Sequence, residues 1–525
     1  MCENLKFGAI YCLYDDCEFL EVSLESIKSK VDKVIFLVSD IPWFGKAVNN
    51  FDTIQKIKKL CDCNPNFILI KNHWINEAEQ RNFGLDYLFA LHIDYCFVVD
   101  TDEIYHKHHI DLIKQFVCKN PKIAAFHIEL NTYWTKQYYV ISPRENFKPV
   151  IVVRVENFLF TTIRQGVTSI QRTEKCVFNT NQKIYNATII PEVICYHLSY
   201  AKNDQQIKRK IETFSHANSI DKDWFDNTWK KWTPEDKNLH PVTPTQYRQA
   251  VKENFLNFPE QLKIFIKKER QNVQPCSIII INWNSYTLLL ECLKLIKQNT
   301  KILYEIVIVD NGSTDLPKDF SDILEFYSIK TIIYNKENLG FPKAVNQAIE
   351  VTNKNSDVCL LNVDAKPQEG WLENLYDTLN SNPLAGIVGP LGNEIENGYQ
   401  KENMVYKDMQ VFNVHFYCAL IFREVIERIG LLDIRFGLGT YEDNDYCIRA
   451  KLGGYQCWIS AKSLVRHKAH QVFESNNIDY IELEHKNKQL LQNKLLDAFY
   501  QYGSYLDFIS ISPKLARKCG LVFRE

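Results

Sequence analysis

Over the first 40 residues, apolar positions form two short continuous runs with an amphipathic stretch between them. FGAIYCL gives way to the polar turn YDDCE, then to FLEVSLESIKSK, then to VIFLV, which ends in Asp40. Short apolar runs bounded by turn residues predict buried strands, and apolar positions three and four apart predict a helix between them. Residues 277–310, SIIIINWNSYTLLLECLKLIKQNTKILYEIVIVD, repeat the same order and end in Asp310, 270 residues after Asp40. Three more landmarks keep nearly that spacing: Asn82 with Asn346 at 264, Asp102 with Asp364 at 262, and His197 with His467 at 270. Four landmarks in one order predict a duplicated α/β unit.

Each half alternates β-branched strands with helical stretches, which predicts a mainly parallel sheet covered on both faces. In open sheets of this kind ligands bind beyond the carboxyl ends of the strands. Asp40, Asp102, Asp310 and Asp364 are all expected at such ends. The expected organisation is a first α/β domain at 1–217, a bridge at 218–275, a second α/β domain at 276–485, and a helix with a short tail at 486–525. The bridge is rich in Trp, Lys and Pro, then reads as a helical run, TQYRQAVKENFLNFPEQLKIFIKKER; with few Gly or Ser it is expected to pack rather than to swing.

The chain has 525 residues, 46% apolar and 24% charged, enough for two or three globular units. A net charge of −2 gives no basic field for nucleic acid, so no nucleic-acid partner is expected. No apolar run reaches the ~18 residues of a membrane span, and MCENLKFGAI has no signal-peptide pattern. The expected location is therefore cytoplasmic. The basic end, KLARKCGLVFRE, suits peripheral contact with lipid headgroups as well as a solvated tail. The sixteen cysteines are scattered, with no CxxC, and read as reduced, mostly buried thiols.

The second half carries the stronger chemistry. In CLLNVDA, Asn362 and Asp364 are expected side by side on one strand face, a setting for a hard divalent cation that also binds phosphate oxygens. Composition alone supplies roughly eight acidic-x-acidic pairs, so the surrounding motifs must give the specificity. VDNGSTD provides a polar turn after Asp310. NLGFPKAVNQAI provides a Gly-containing turn before a helix beginning near Lys343, where a helix N-terminus and a lysine both suit phosphate. GTYEDNDYCIRAKLGGY clusters Glu442, Asp443 and Asp445 at a helix start. Crowded carboxylates raise at least one pKa, and such a group can act as a general base. His467, expected after a short strand, could complete a cation site.

On IIIINWN, VDNGSTD, NLGFPKAVN, LLNVD, the Glu-Asp-x-Asp-x-Cys-x-Arg-Ala run and the late His, residues 276–473 resemble the inverting nucleotide-sugar glycosyltransferases of family two. These have the GT-A fold, and the likeness is greatest to the rhamnosyl- and galactofuranosyltransferase branch. The resemblance implies that Asp310 binds the nucleobase, with Asn282, Lys343, Asn346 and Asn362 also at the nucleotide-sugar. It further implies that Asp364 and His467 hold Mn²⁺ or Mg²⁺, and that Asp443, beside Glu442, deprotonates the acceptor. Asn362 stands where the family usually has the first Asp of Asp-x-Asp, which removes one charge from the cation site.

The first half resembles the same family over about residues 5–217, with fewer matches. FVVDTDEIY supplies Asp100, Asp102 and Glu103; with His197 after a strand, Asp102 is expected to hold a second cation. Asp40, Arg81 and Asp100 are expected at the nucleotide-sugar. The basic stretch Lys202, Lys208, Arg209 and Lys210 suits a lid over a diphosphate or a solvated helix. No Glu-Asp cluster recurs, so Glu129 and Glu145 are the nearest candidate bases, each also suited to a salt bridge. HKHH (106–109) is read as an exposed run rather than a zinc site. Trp134, Trp283 and Trp371 suit sugar stacking or the core equally.

The expected function is a tandem glycosyltransferase, moving sugars from UDP-, GDP- or dTDP-sugars to a glycan or lipid-linked acceptor. Two alternatives stand beside it. One half could be a non-catalytic binding module, or the chain could be a sugar nucleotidyltransferase. CLYDDCEF and NWNSYTLL lack the Gly-rich basic loop the latter needs.

Overall fold

The computed structural model describes residues 5–44, 47–135, 138–162, 164–168, 170–172, 177–179, 186–213, 219–315, 327, 329–393, 400–402, 405–468, 471–476 and 478–502. The chain divides into two compact units, Met1–Leu262 and Lys263–Glu525. Each is α/β, built on a mixed sheet led by four parallel strands.

In the first unit these strands are, in order across the sheet, Phe67–Asn72, Lys33–Ser39, Phe7–Leu13 and Tyr95–Val99. Val150–Arg154 then runs antiparallel to Tyr95–Val99, and Ala125–Trp134 antiparallel to Val150–Arg154. Ala187–Tyr200 lies parallel to Ala125–Trp134, and the short Glu103–Ile104 pairs antiparallel on it. The second unit follows the same path. Ile329–Asn335, Tyr304–Asn311, Cys276–Asn282 and Val358–Leu361 are parallel; Cys418–Ile421 and Ala385–Leu391 reverse in turn; Gln456–Arg466 lies parallel to Ala385–Leu391, with Lys366–Pro367 antiparallel on it. Strand for strand, order and sense agree.

The continuous apolar runs have a direct physical cause. Val34, Phe36 and Val38 enter one buried cluster, with Leu24 and Ile113 of the helices on that face. Ile35 and Leu37 enter another on the opposite face, with Leu85 and Leu88. A strand covered on both faces has no polar side to alternate with.

Two expectations about backbone are corrected. Asn362 and Asp364 do not lie on a strand: Val358–Leu361 has ended, and Ala365 N–H donates to the Asn362 carbonyl at 3.0 Å in a turn. The same turn follows Tyr95–Val99, where Glu103 N–H donates to the Asp100 carbonyl at 3.1 Å. His197 lies inside the strand Ala187–Tyr200, opposite Glu103, rather than after it, and His467 follows an eleven-residue strand.

The run expected as helical from 245 is α-helical only over Glu260–Val273, with short 3-10 turns at Pro244–Gln246 and Phe255–Asn257. Before it, Gln249–Lys252 is an edge strand paired with Tyr139–Ser142. The Trp-rich stretch packs in the first unit, Trp224 and Trp229 closing on Trp134, Tyr200 and Tyr247. In the second unit, Lys267 donates from Nζ to the carbonyls of Leu379, Asn382 and Ala385 at 3.2, 2.9 and 2.6 Å. It thereby caps the end of the helix Trp371–Ser381. The helix Tyr480–Tyr502 buries Leu491 and Leu495 against Phe436 and Ile448. The basic end, 514–525, lies outside the described residues.

Candidate active site

In the second unit the carboxyl ends of the first strands converge as expected. Asp310, 3% exposed, accepts from Asn282 Nδ2 at 3.1 Å and from Ser313 N–H at 3.3 Å. Asn282 Nδ2 also reaches Ser313 Oγ, while Asn282 Oδ1 is buried with no partner. Beside it, Asn311 accepts from Asn335 Nδ2 and Leu339 N–H and donates to Asn338, fixing the turn that opens the helix Phe341–Val351. Gly340 in that turn has φ +85°, and a Cβ there would lie 2.1 Å from the Gly437 carbonyl oxygen, so glycine is required. Lys343 is exposed on the first turn of this helix.

Asn346, expected at the nucleotide-sugar, is not placed to serve a ligand. Its Nδ2 donates to the Leu432 carbonyl at 2.8 Å and its Oδ1 accepts from Leu432 N–H at 2.9 Å. Asn82 does the same in the first unit, exchanging bonds of 2.9 and 2.8 Å with the backbone of Phe160. This repeated asparagine is a backbone clamp.

Asp364, 4% exposed, faces His467, with Nε2 3.2 Å from Oδ1. That oxygen makes no hydrogen bond, and among the described residues no Lys or Arg pairs with Asp364. A buried carboxylate oxygen without a proton donor, beside an imidazole, fits a divalent cation. Asn362 is half-buried next to it, its N–H donating to the Tyr417 carbonyl at 2.8 Å. Tyr417 also stacks on His467, ring centres 4.9 Å apart. Two residues earlier, His415 Nδ1 stands 3.4 Å from Asp443 Oδ2. One short segment, 415–417, thus ties Asp443 to the Asp364–His467 pair.

Asp443 and Glu442 open the helix Glu442–Leu452, as expected. They follow two non-glycine residues in left-handed conformation, Thr440 at φ +74° and Tyr441 at +63°. Such conformations cost about 1–3 kcal/mol each and persist where the surroundings enforce them. Asn487 enforces this one, donating to the carbonyls of Phe436 and Gly439 at 2.8 and 2.5 Å. Asp443 Oδ1 accepts from the backbone N–H and side-chain amide of Asn444. Burial, then Asp443 and Asp445, push Glu442 up from 4.5 to about 8. Near neutrality Glu442 is therefore largely protonated, and Asp443 has no anion beside it at 442. Asp445 is committed elsewhere, to Arg449 at 2.9 Å and to Lys494.

The first unit gathers its candidates around a pocket of 340 Å³ that includes Arg81, Asp100, Asp102, Arg164 and His197. Asp40 stands apart, exposed and paired with His73 at 3.1 Å, without the clamp that holds Asp310. Asp102 meets His197 Nε2 at 3.7 Å and Lys202 Nζ at 3.5 Å. Asp100 meets Arg81 and Arg164 at 3.1 and 3.0 Å. Burial pushes both carboxyls up, but Arg164 and Arg81 hold Asp100 below the usual range, and Lys202 and His197 hold Asp102 well below it. Asp102 and His197, expected to hold a cation, thus do not fit one, because a lysine is already on the carboxylate.

The basic stretch is solvated only in part: Lys208 is exposed, whereas Lys202 is 7% exposed and pairs with Asp16, and the half-buried Arg209 pairs with Asp15. Glu129 is a surface partner of Arg144 at 2.8 Å and of Lys148. Glu145 accepts from the Thr132 hydroxyl, which lies 3.5 Å from His197 Nδ1. His106 bonds to Tyr196 and the Asn257 carbonyl, and among the described residues no three His, Cys, Asp or Glu converge on one point. Trp134 and Trp371 are core residues, fully buried, whereas Trp283 is half-buried. Every described cysteine is a free thiol. Arg164, His415, Tyr417 and Asn487 carry no sequence signal; each is brought in by tertiary contact alone.

Comparison with known proteins adds a family. Residues 277–430 match the family described as Glycosyl transferase family 2. A curated relative, glycosyltransferase GlyG of Streptococcus pneumoniae serotype 4, is 26% identical over 114 residues, which are 22% of this chain and 38% of the relative's length. Among solved structures, GalNAc-T7 with UDP, GalNAc and Mn²⁺ aligns at 14% identity and TM-score 0.33, covering 38% of this chain and 44% of that one. Staphylococcus aureus TarS 1-349 aligns at 14% and 0.34, covering 42% and 66%. Residues 277–430, which lie within the second unit, are thus the part of the chain similar to family-two glycosyltransferases, and the chain spans 38% of its curated relative's length. No described helix is long and apolar enough to cross a membrane.

Proposed function

We propose that the second unit is an inverting glycosyltransferase acting on a nucleoside-diphosphate sugar, and that the first unit is a second donor site on the same strand plan. The observation that carries the reading is the link 415–417, which holds the Asp364–His467 pair and Asp443 in one framework. Asp310 and Asn282 take the nucleoside side, and Lys343 with the helix N-terminus faces the diphosphate. Asp364 and His467 would hold a divalent cation. When bound, that ion offsets the charge that develops on the departing diphosphate.

The chain's own groups perform the rest. Asp443 takes the proton of the acceptor hydroxyl as its oxygen bonds to the anomeric carbon. The bond from that carbon to the phosphate oxygen breaks on the opposite face, inverting the configuration. Glu442, protonated, removes the repulsion a second adjacent anion would add. The acceptor is a glycan or lipid-linked sugar, and Glu145, through Thr132 and His197, is the base candidate of the first unit.

The test is donor hydrolysis by the full chain over UDP-, GDP- and dTDP-sugars with Mn²⁺ or Mg²⁺. Asp310→Ala should raise the donor KM, whereas Asp364→Ala should abolish the metal-stimulated turnover. A chain that turns over no activated sugar under any of these conditions refutes the reading.

A further inference from the structure

A base that takes up a proton must lose it again before the next turnover. Asp443 has few routes for that loss. Its side chain is 11% exposed. Oδ1 already accepts from the backbone N–H and the side-chain amide of Asn444, at 2.7 and 2.9 Å. Glu442 beside it is largely protonated near neutrality, so it has no place for a second proton. Oδ2 is the oxygen left to receive the proton, and the imidazole of His415 faces it, Nδ1 3.4 Å away.

His415 is fixed in that position from two sides. Its backbone N–H donates at 3.0 Å to Oε1 of Gln400, a fully buried residue whose Nε2 donates to the Pro390 carbonyl at 3.2 Å. The residue before it, Val414, donates from its backbone N–H at 3.4 Å to Sγ of Cys447, one turn beyond Asp443 on the helix Glu442–Leu452. Imidazole and carboxylate are thus tied to one helix, and a proton passes readily only between groups held in register. The imidazole is 32% exposed and reaches water more freely than the carboxylate. An imidazole ordinarily holds a proton more tightly than a carboxylate does, which gives such a transfer its direction. Among the described residues Asp443 is the one charged group paired with His415.

We infer that His415 receives the acceptor's proton from Asp443 and passes it to solvent. This rests on the reading of Asp443 as the base. In the transfer step the acceptor oxygen bonds to the anomeric carbon and its proton goes to Oδ2 of Asp443. The nucleoside diphosphate leaves with the electron pair of the broken bond. Oδ2 then gives the proton to Nδ1 of the neutral imidazole, and the imidazolium releases a proton to water, which restores both groups. His415 acts through Asp443, as a positioning residue that also carries the proton away.

The experiment follows metal-stimulated hydrolysis of UDP-, GDP- and dTDP-sugars by the full chain, with water standing in for the acceptor. Mg²⁺ is the cation, a hard ion with little affinity for imidazole. His415→Ala is expected to lower kcat by about tenfold or more while donor KM stays within about twofold. Added imidazole should restore most of that loss, in proportion to the concentration of its neutral form, and should do nothing for the natural chain or for Asp443→Asn. His415→Asn keeps a hydrogen-bond donor near the Nδ1 position but carries no proton, so it should stay as slow as His415→Ala. Natural rates from His415→Ala or from His415→Asn, or a loss in His415→Ala that imidazole leaves unrepaired, overturn the inference. An Asp443→Asn variant as fast as the natural chain instead overturns the reading of Asp443 as the base, and a natural chain that hydrolyses none of these sugars overturns the donor reading.

Discussion

At the residue scale, the two adjacent carboxyls at 442 and 443 have different surroundings, and the proposed mechanism gives them different tasks. Asp443 accepts from Asn444 and faces His415, whereas Glu442 Oε2 is buried without a partner. Asp443→Asn keeps the shape and removes the proposed base, so it should lower kcat by about 10²- to 10⁴-fold with little change in donor KM. Steady-state kinetics at saturating donor checks this. Glu442 makes an opposite, pH-dependent contribution. Its folded pKa is raised, so the folded chain binds more protons than the unfolded one between 4.5 and about 8. Its contribution to stability is complete below 4.5 and is lost as pH rises through about 8. Glu442→Gln should therefore flatten the fall in Tm over that interval, measured by calorimetry at a series of pH values.

At the scale of elements, side-chain clamps hold helices to backbone that is distant in sequence. Asn82 and Asn346 each join a helix to a neighbouring backbone segment with a pair of hydrogen bonds. Replacing either with Ala leaves a buried N–H and carbonyl unpaired, and should cost about 1–3 kcal/mol in urea unfolding without a selective rise in donor KM. Asn487 acts on the site from the helix Tyr480–Tyr502: it holds the left-handed turn from which Glu442 and Asp443 project. Asn487→Ala should lower kcat as well as stability, and the fall in kcat should persist at temperatures well below the variant's Tm. This helix thus supports the candidate site, and its Lys494 secures Asp445 and Asp433.

At the scale of the whole molecule, the duplication is one of architecture more than of chemistry. Both units follow one strand plan, with the acidic turn after the fourth parallel strand and a histidine on the last long strand or next to it. Upon that plan the second unit sets an aspartate that, among the described residues, meets a histidine and no Lys or Arg, whereas the first pairs its acids with three buried cations. If both units transfer, Asp443→Asn should leave an acceptor product one sugar shorter than that of the natural chain. Mass spectrometry of the acceptor distinguishes that outcome from complete inactivity, which would assign all transfer to the second unit.

The repeated landmarks, the strand and helix alternation and the place of the acids at strand ends were all legible in the sequence. They are local: apolar runs buried on two faces leave no polar alternation, and turn residues mark where each strand stops. Which landmark was a ligand group and which a clamp was not legible, since Asn82 and Asn346 are spent on backbone that arrives from 78 and 86 residues away. Nor was the pairing of Asp100 with Arg164, or of Asp102 with Lys202. A carboxylate's readiness to take a metal depends on which charges share its buried volume, and only the folded chain brings those charges together.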